Sequence, residues 1–203
     1  MFPFDVILFD IGGVLLTNGW DHCERADVLD RFGVEREGFE KRHAAAYAAW
    51  ERGAVSVDAY LNATVFDQPR AFSHEEFFAA MCAQSKVLEN GALGILGELA
   101  ASKKCMVGAL NNEARETNEF RLQKFGLRSL LRVVLSSCYL GLRKPDAAIY
   151  HRALDILGSD PGRVLFIDDR VENAAAAAAV GMRTIRFEGA ARLRGELEAL
   201  GAL

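Results

Sequence analysis

Five short apolar runs, each closing on polar or acidic residues, restrict the fold of this chain more than any other feature. They lie at residues 6–10, 105–110, 132–136, 164–168 and 183–187. Segments with helical character, residues 113–125, 146–157 and 171–180, separate the later ones. Strands that alternate with helices predict an α/β architecture, a parallel sheet with helices on both faces. Ligands of such sheets bind beyond the carboxyl ends of the strands, where the loops converge. Asp10, Asn111 and Asp168 all fall at ends of this kind.

Residues 17–87 differ, because they contain no convincing strand. Residues 21–32, 36–52, 57–66 and 74–85 read as helices, the last opened by a capping box of Ser73 and Glu76. An insertion of roughly seventy residues after the first strand is too long for a loop. It reads as a small helical lid over a core made of residues 1–16 and 88–203.

The 203 residues are 51% hydrophobic and 26% charged, a balance that supports a packed core. The net charge of −4 and a pI near 5.6 provide no basic field for nucleic acid or an anionic membrane. No apolar stretch approaches the ~20 residues needed to span a bilayer. Asp5 and Asp10 interrupt the apolar N-terminus, which argues against a secretory signal. Cys23, Cys82, Cys105 and Cys138 form no CxxC pair and read as reduced thiols, so a cytoplasmic protein is expected. No GxGxxG or GxxxxGK[ST] phosphate loop is present. The six alanines at 174–179, followed by Gly181, fit a closely packed helix with a glycine stop.

The acids at strand ends carry the chemical information. Asp10, in FDIGGVLL, fits two readings: a nucleophile that forms an aspartyl-phosphate, or a cap for the following turn. Gly12 and Gly13 allow a tight turn and bring bare backbone N–H groups towards an anion. Asp168 and Asp169, in VLFIDDR, are adjacent carboxylates whose repulsion calls for compensation. Mg²⁺, a hard cation that takes carboxylate and carbonyl oxygens, supplies it; a pair of helix N-caps is the other reading. Lys144 precedes Pro145, a residue favoured in the first turn of a helix, so its ammonium is expected at a helix N-terminus, able to neutralise a phosphoryl oxygen. Asn111 and Asn112 close the strand CMVGAL with amides that can donate to phosphate or cap the next helix.

In order along the chain, this set resembles the haloacid dehalogenase-like superfamily, most of whose members are Mg²⁺-dependent phosphatases. The residues concerned are Asp10 in FDIGGVLL, Asn111 in GALNNE, Lys144 in LRKPD and Asp168–Asp169 in FIDDRVEN. The resemblance covers the core, residues 1–16 and 88–203, and implies a Rossmann-like sheet with a type 1 helical cap at residues 17–87. It further implies that Asp10 attacks phosphorus and that Mg²⁺ is held by Asp10, the Gly12 carbonyl and Asp169, with Asp168 as ligand or support. Lys144, Asn111 and Asn112 would hold the phosphoryl group of a small metabolite.

Two positions depart from the family pattern. Phosphatases of the family carry a second Asp two residues after the nucleophile, where this chain has Gly12; that Asp protonates the leaving group and activates water. Asn111 stands where Ser or Thr is usual. Three outcomes follow from Gly12. The substrate has a good leaving group, such as a sugar-1-phosphate or acyl phosphate; or the lid lends an acid, with His22, Glu24 and His43 as candidates; or the site binds phosphate or a partner without turnover. Branches that cleave carbon–halogen or carbon–phosphorus bonds also lack the second Asp and remain an alternative.

Overall fold

The computed structural model describes residues 2–203. Five parallel strands, β1 (Val6–Phe9), β2 (Met106–Asn111), β3 (Val133–Ser136), β4 (Val164–Asp168) and β5 (Arg183–Arg186), form one sheet in the order β3-β2-β1-β4-β5. All five expected strands are present, with ends within a residue or so of those read from the sequence.

Side chains alternate across a strand with period two, and β1 shows what that achieves in a sheet buried on both sides. Ile7 and Phe9 join one apolar cluster, while Val6 and Leu8 join another on the opposite face. Helices α5 (Leu93–Ser102), α6 (Arg115–Lys124) and α10 (Ala190–Ala199) contribute to the first cluster. Helices α8 (Ala147–Leu157) and α9 (Val171–Ala179) contribute to the second. The sequence reading passed over α5 and α10. Gly94, Gly97 and Gly195 lie within them and weaken their helical signal. The short α7 (Ser137–Leu140) was also unforeseen.

In α9 only Ala174 and Ala177 of the alanine tract are buried. The methyl groups let the helix lie close to the sheet, and Gly181, at φ +93°, ends the segment. Pro145 lies outside α8, contrary to expectation. The helix begins at Ala147, with Asp146 as its N-cap accepting from the Ala148 N–H at 3.0 Å. Lys144 therefore sits in the loop that leads to the helix rather than at its N-terminus.

Between β1 and α5 run α1 (His22–Arg31), α2 (Arg36–Glu51), α3 (Val57–Thr64) and α4 (His74–Ala83). They enclose an apolar cluster of their own, built on Trp20, Phe39, Trp50, Tyr60 and Phe77. Both halves of the Ser73–Glu76 capping box form at the start of α4. The polar atoms in this cluster are paired: Trp20 Nε1 donates to the Tyr60 hydroxyl at 3.0 Å, and His43 Nδ1 meets the same oxygen at 2.7 Å.

Burial, reinforced by the Arg25 charge and opposed by Glu40, pushes the His43 pKa from 6.5 down to about 4. The unfolded chain therefore binds a proton that the folded one refuses between those values, so stability falls as pH drops through that window. Between pH 7 and 5 the wild type is expected to lose about 2 kcal/mol more stability than His43→Phe. Urea unfolding of both proteins at the two pH values measures it, and equal losses would refute the assignment.

Candidate active site

Register brings the acids together. Phe9 pairs with Ile167, so the next residues, Asp10 and Asp168, emerge side by side, and the Asp10 N–H donates to the Ile167 carbonyl at 2.8 Å. Lys144 enters from the loop before α8. Its Nζ lies 3.0 Å from Asp10 Oδ2 and 2.6 Å from Asp168 Oδ2. All three residues are buried, and the ammonium also stands 5.2 Å from the centre of the Phe166 ring.

Asp168 has no idle oxygen. Asn173 Nδ2 reaches both carboxylate oxygens, at 3.0 and 3.1 Å, and the Arg170 N–H donates to Oδ1 at 2.9 Å. Asp169 is the opposite case, because its Oδ1 is buried without a hydrogen-bond partner. One carboxylate oxygen each from Asp10, Asp168 and Asp169 lie within 4.8 Å of one another. Three carboxylates share one ammonium in direct contact, with Arg170 as a further nearby cation, so the cluster is short of positive charge when all three are ionised.

The pKa shifts carry the same information. Burial pushes Asp10 up to about 7, against the pull of Lys144 and with help from Asp168 and Asp169. Burial and then Asp168 raise Asp169. Burial works against the Lys144 charge, but Asp10 and Asp168 outweigh it and lift its pKa.

The donor set fits a hard divalent cation: carboxylate oxygens, an orphaned Asp169 oxygen and a glycine turn beside them. At Gly13, with φ +71°, a Cβ would collide with the Asp169 carboxylate, so only glycine lets the first loop approach it. Gly12 serves a different neighbour. A Cβ there would stand 2.9 Å from Asn18 Oδ1, so the Asn18 side chain occupies the space that a larger residue 12 would enter.

The two asparagines diverge. Asn111 is buried, and its Nδ2 donates to Asn118 Oδ1 at 3.0 Å. Asn112 donates to the Lys144 carbonyl and accepts from the Lys144 N–H, both at 2.9 Å, which fixes the lysine loop against the end of β2. Asn112 lines the adjoining cavity of about 380 Å³, together with Asp10, Gly12 and Lys144.

The inserted helices provide the other wall, through Trp20, Asp21, Arg25, Tyr47 and Glu51. They are fastened to the core from several directions. Glu116 accepts from Trp50 Nε1 at 3.2 Å and from the Val57 N–H at 3.0 Å. Ser137 Oγ donates to the Glu51 carbonyl at 2.7 Å, and the Glu51 carboxylate pairs with Arg143. None of the acids expected from the lid reaches the cavity. His22 points largely to solvent, His43 is engaged by Tyr60, and Glu24 is not part of the lining.

Sequence reasoning missed Asn173, Arg170, Asn18 and Asp21. For Asn173 a signal existed: it lies in the first turn of the helix that follows Asp168, where its amide can reach back to a strand-end acid.

A family profile described as haloacid dehalogenase-like hydrolase matches residues 4–181. A sesquiterpene phosphatase of Aspergillus oryzae is 39% identical over 184 residues, covering 88% of this chain and 87% of that protein. A phosphatase of Mycobacterium tuberculosis is 26% identical over 211 residues, with 97% and 95% covered. In fold, the chain is similar to a haloacid dehalogenase family enzyme of Bacteroides thetaiotaomicron solved with magnesium and inorganic phosphate. That likeness has a TM-score of 0.79 at 19% identity and covers 92% of this chain and 95% of the other.

Lys144→Met would leave Asp10 and Asp168 facing each other without their common cation. Removing one partner of a buried ion pair costs about 3–5 kcal/mol, and a stability loss of that size is expected in denaturant unfolding. A loss indistinguishable from that of an exposed Lys→Met control would show that the ammonium does not hold the cluster.

Proposed function

The chain belongs to the haloacid dehalogenase-like hydrolases, and from that membership we propose that it is a Mg²⁺-dependent phosphatase of a small phosphorylated metabolite. The observation that carries the reading is the convergence of Asp10 and Lys144 on one polar cavity, with the under-compensated Asp169 beside them. Asp10 attacks phosphorus and the bond to the leaving oxygen breaks, giving an aspartyl-phosphate. Water then attacks the same phosphorus, the bond to Asp10 breaks, and inorganic phosphate leaves with the carboxylate restored. Lys144 holds Asp10 in its attacking position and neutralises charge that builds on the phosphoryl oxygens. Asn112, whose amide has a second proton beyond the one given to the Lys144 carbonyl, adds a phosphoryl contact, and Asn111 supports that turn through Asn118.

Asp10, Asp169 and the Gly12 carbonyl would hold Mg²⁺, while Asp168 keeps its bonds to Lys144 and Asn173. The ion, when bound, supplies the missing positive charge between the carboxylates and the phosphoryl oxygens. The polar lining, in which Arg170 is the arginine without a carboxylate salt bridge among the described residues, favours a compact, polar phosphoester.

Phosphate release from a panel of phosphomonoesters tests the reading. Release is expected to require Mg²⁺, to stop with chelator and to vanish in Asp10→Asn; activity that persists in that variant would sink the nucleophile assignment. Metal binding has its own readout. Mg²⁺ at a hundredfold excess over its Kd should stabilise the wild type by about 2.7 kcal/mol, and Asp169→Asn should lose that gain. An equal gain in Asp169→Asn would move the metal elsewhere.

A further inference from the structure

Hydrolysis of an aspartyl-phosphate needs a group to take the proton of the attacking water, and Gly12 offers none. Five carboxylates line the cavity: Asp10, Asp21, Glu51, Glu113 and Glu172. Asp10 is the esterified group at that stage. Glu51 is paired with Arg143, and Glu113 with Arg121 and the Thr117 hydroxyl. Asp21 and Glu172 have no salt bridge to Lys or Arg among the described residues.

Geometry separates these two. Asn18 Oδ1 occupies the space a side chain at residue 12 would use, 2.9 Å from that Cβ position. The other end of the same amide, Nδ2, lies 3.4 Å from Asp21 Oδ2. Asp21 is thus one side chain removed from the point where residue 12 would project a carboxylate. Its oxygens are unequal. Oδ1 accepts from the His22 N–H at 2.6 Å and sits 3.1 Å from His22 Nδ1, whereas Oδ2 has only the long Asn18 contact.

We propose that Asp21, delivered by the start of the helical insert, is the general base of the hydrolysis step, in place of a carboxylate at position 12. The assignment rests on the phosphatase reading above. Water attacks phosphorus, its proton passes to Asp21 Oδ2, the phosphorus–oxygen bond to Asp10 breaks, and phosphate departs. Asp21 then returns the proton to solvent. Burial acts to raise the Asp21 pKa, but the His22 hydrogen bonds and the charges of His22 and Arg170 outweigh it and hold the carboxyl below the ordinary range. An ionised Asp21 accepts a proton in the second step but has none to give in the first. The first step is therefore expected to run best on phosphoryl compounds with a good leaving group, such as acyl phosphates or aryl phosphates.

Asp21 also caps α1, and asparagine caps a helix about as well as aspartate. Asp21→Asn therefore removes the base and keeps the cap. With p-nitrophenyl phosphate and Mg²⁺ in rapid quench, the variant should release one nitrophenol per site in a burst. Its steady turnover should then fall ~10²–10⁴-fold while phosphorylated protein accumulates and the melting temperature stays unchanged. Turnover equal to wild type, or loss of burst and steady rate together, would overturn the assignment, as would a stall in Glu172→Gln instead. A wild type that releases no nitrophenol from this or other activated phosphoesters would overturn the phosphatase reading itself. A working wild type matched by Asp21→Asn would overturn only the role of Asp21.

Discussion

A lysine ammonium held out of water between two aspartates, Lys144 between Asp10 and Asp168, joins three segments that are far apart in the chain. Buried charges of this kind persist only when each lone pair and proton finds a partner. The surrounding polar residues read as the consequence. Asn173 and the Arg170 N–H complete Asp168, and Asn112 grips the backbone of Lys144 from both sides. Asp169 is left with a buried, unpartnered oxygen beside this satisfied network. An apolar sheet would have no reason to retain such a cluster, because its charge balance is still negative. The chemistry proposed for the site begins from that imbalance.

The same cluster explains the two glycines after β1. Gly13 is needed because Asp169 presses against its backbone and because its φ is positive. At Gly12 the neighbour is Asn18, whose side-chain oxygen would have to move for a larger residue to enter. The bare residue 12 and the position of the Asn18 side chain are therefore complementary. Through Asn18 the first loop of the core is coupled to Asp21 and to the opening turn of the inserted helices. Those helices have their own aromatic cluster, yet Glu116, Ser137 and Arg143 bind them to the core. The insert thus joins the core both through these polar contacts and through Ala114, which packs into its aromatic cluster.

Much of the architecture was legible along the chain. Five apolar runs gave five strands, and the Ser73–Glu76 box opened α4 as read. Periodicity and capping are local properties, so neighbours in sequence suffice to express them. Where glycine diluted the pattern, as in α5 and α10, the same reasoning failed. Pro145 misled in a related way: it was expected in the first helical turn, but Asp146 is the N-cap and the helix starts at Ala147.

The site divides along the same line. The sequence by itself determined which acids, amides and lysine stand at strand ends, because strand length and side-chain alternation dictate where a run must stop. It also determined that no acid follows Asp10 at residue 12. Only the tertiary structure decided that Asp168 is saturated and Asp169 is open, that Asn112 serves the Lys144 loop, and that Asp21 rather than His22, Glu24 or His43 reaches the cavity. These outcomes depend on strand register and on segments as far apart in sequence as Asp10 and Asp168 meeting at one sheet edge. Local periodicity sets where a loop begins, whereas the contacts made at its tip are fixed by packing between distant segments.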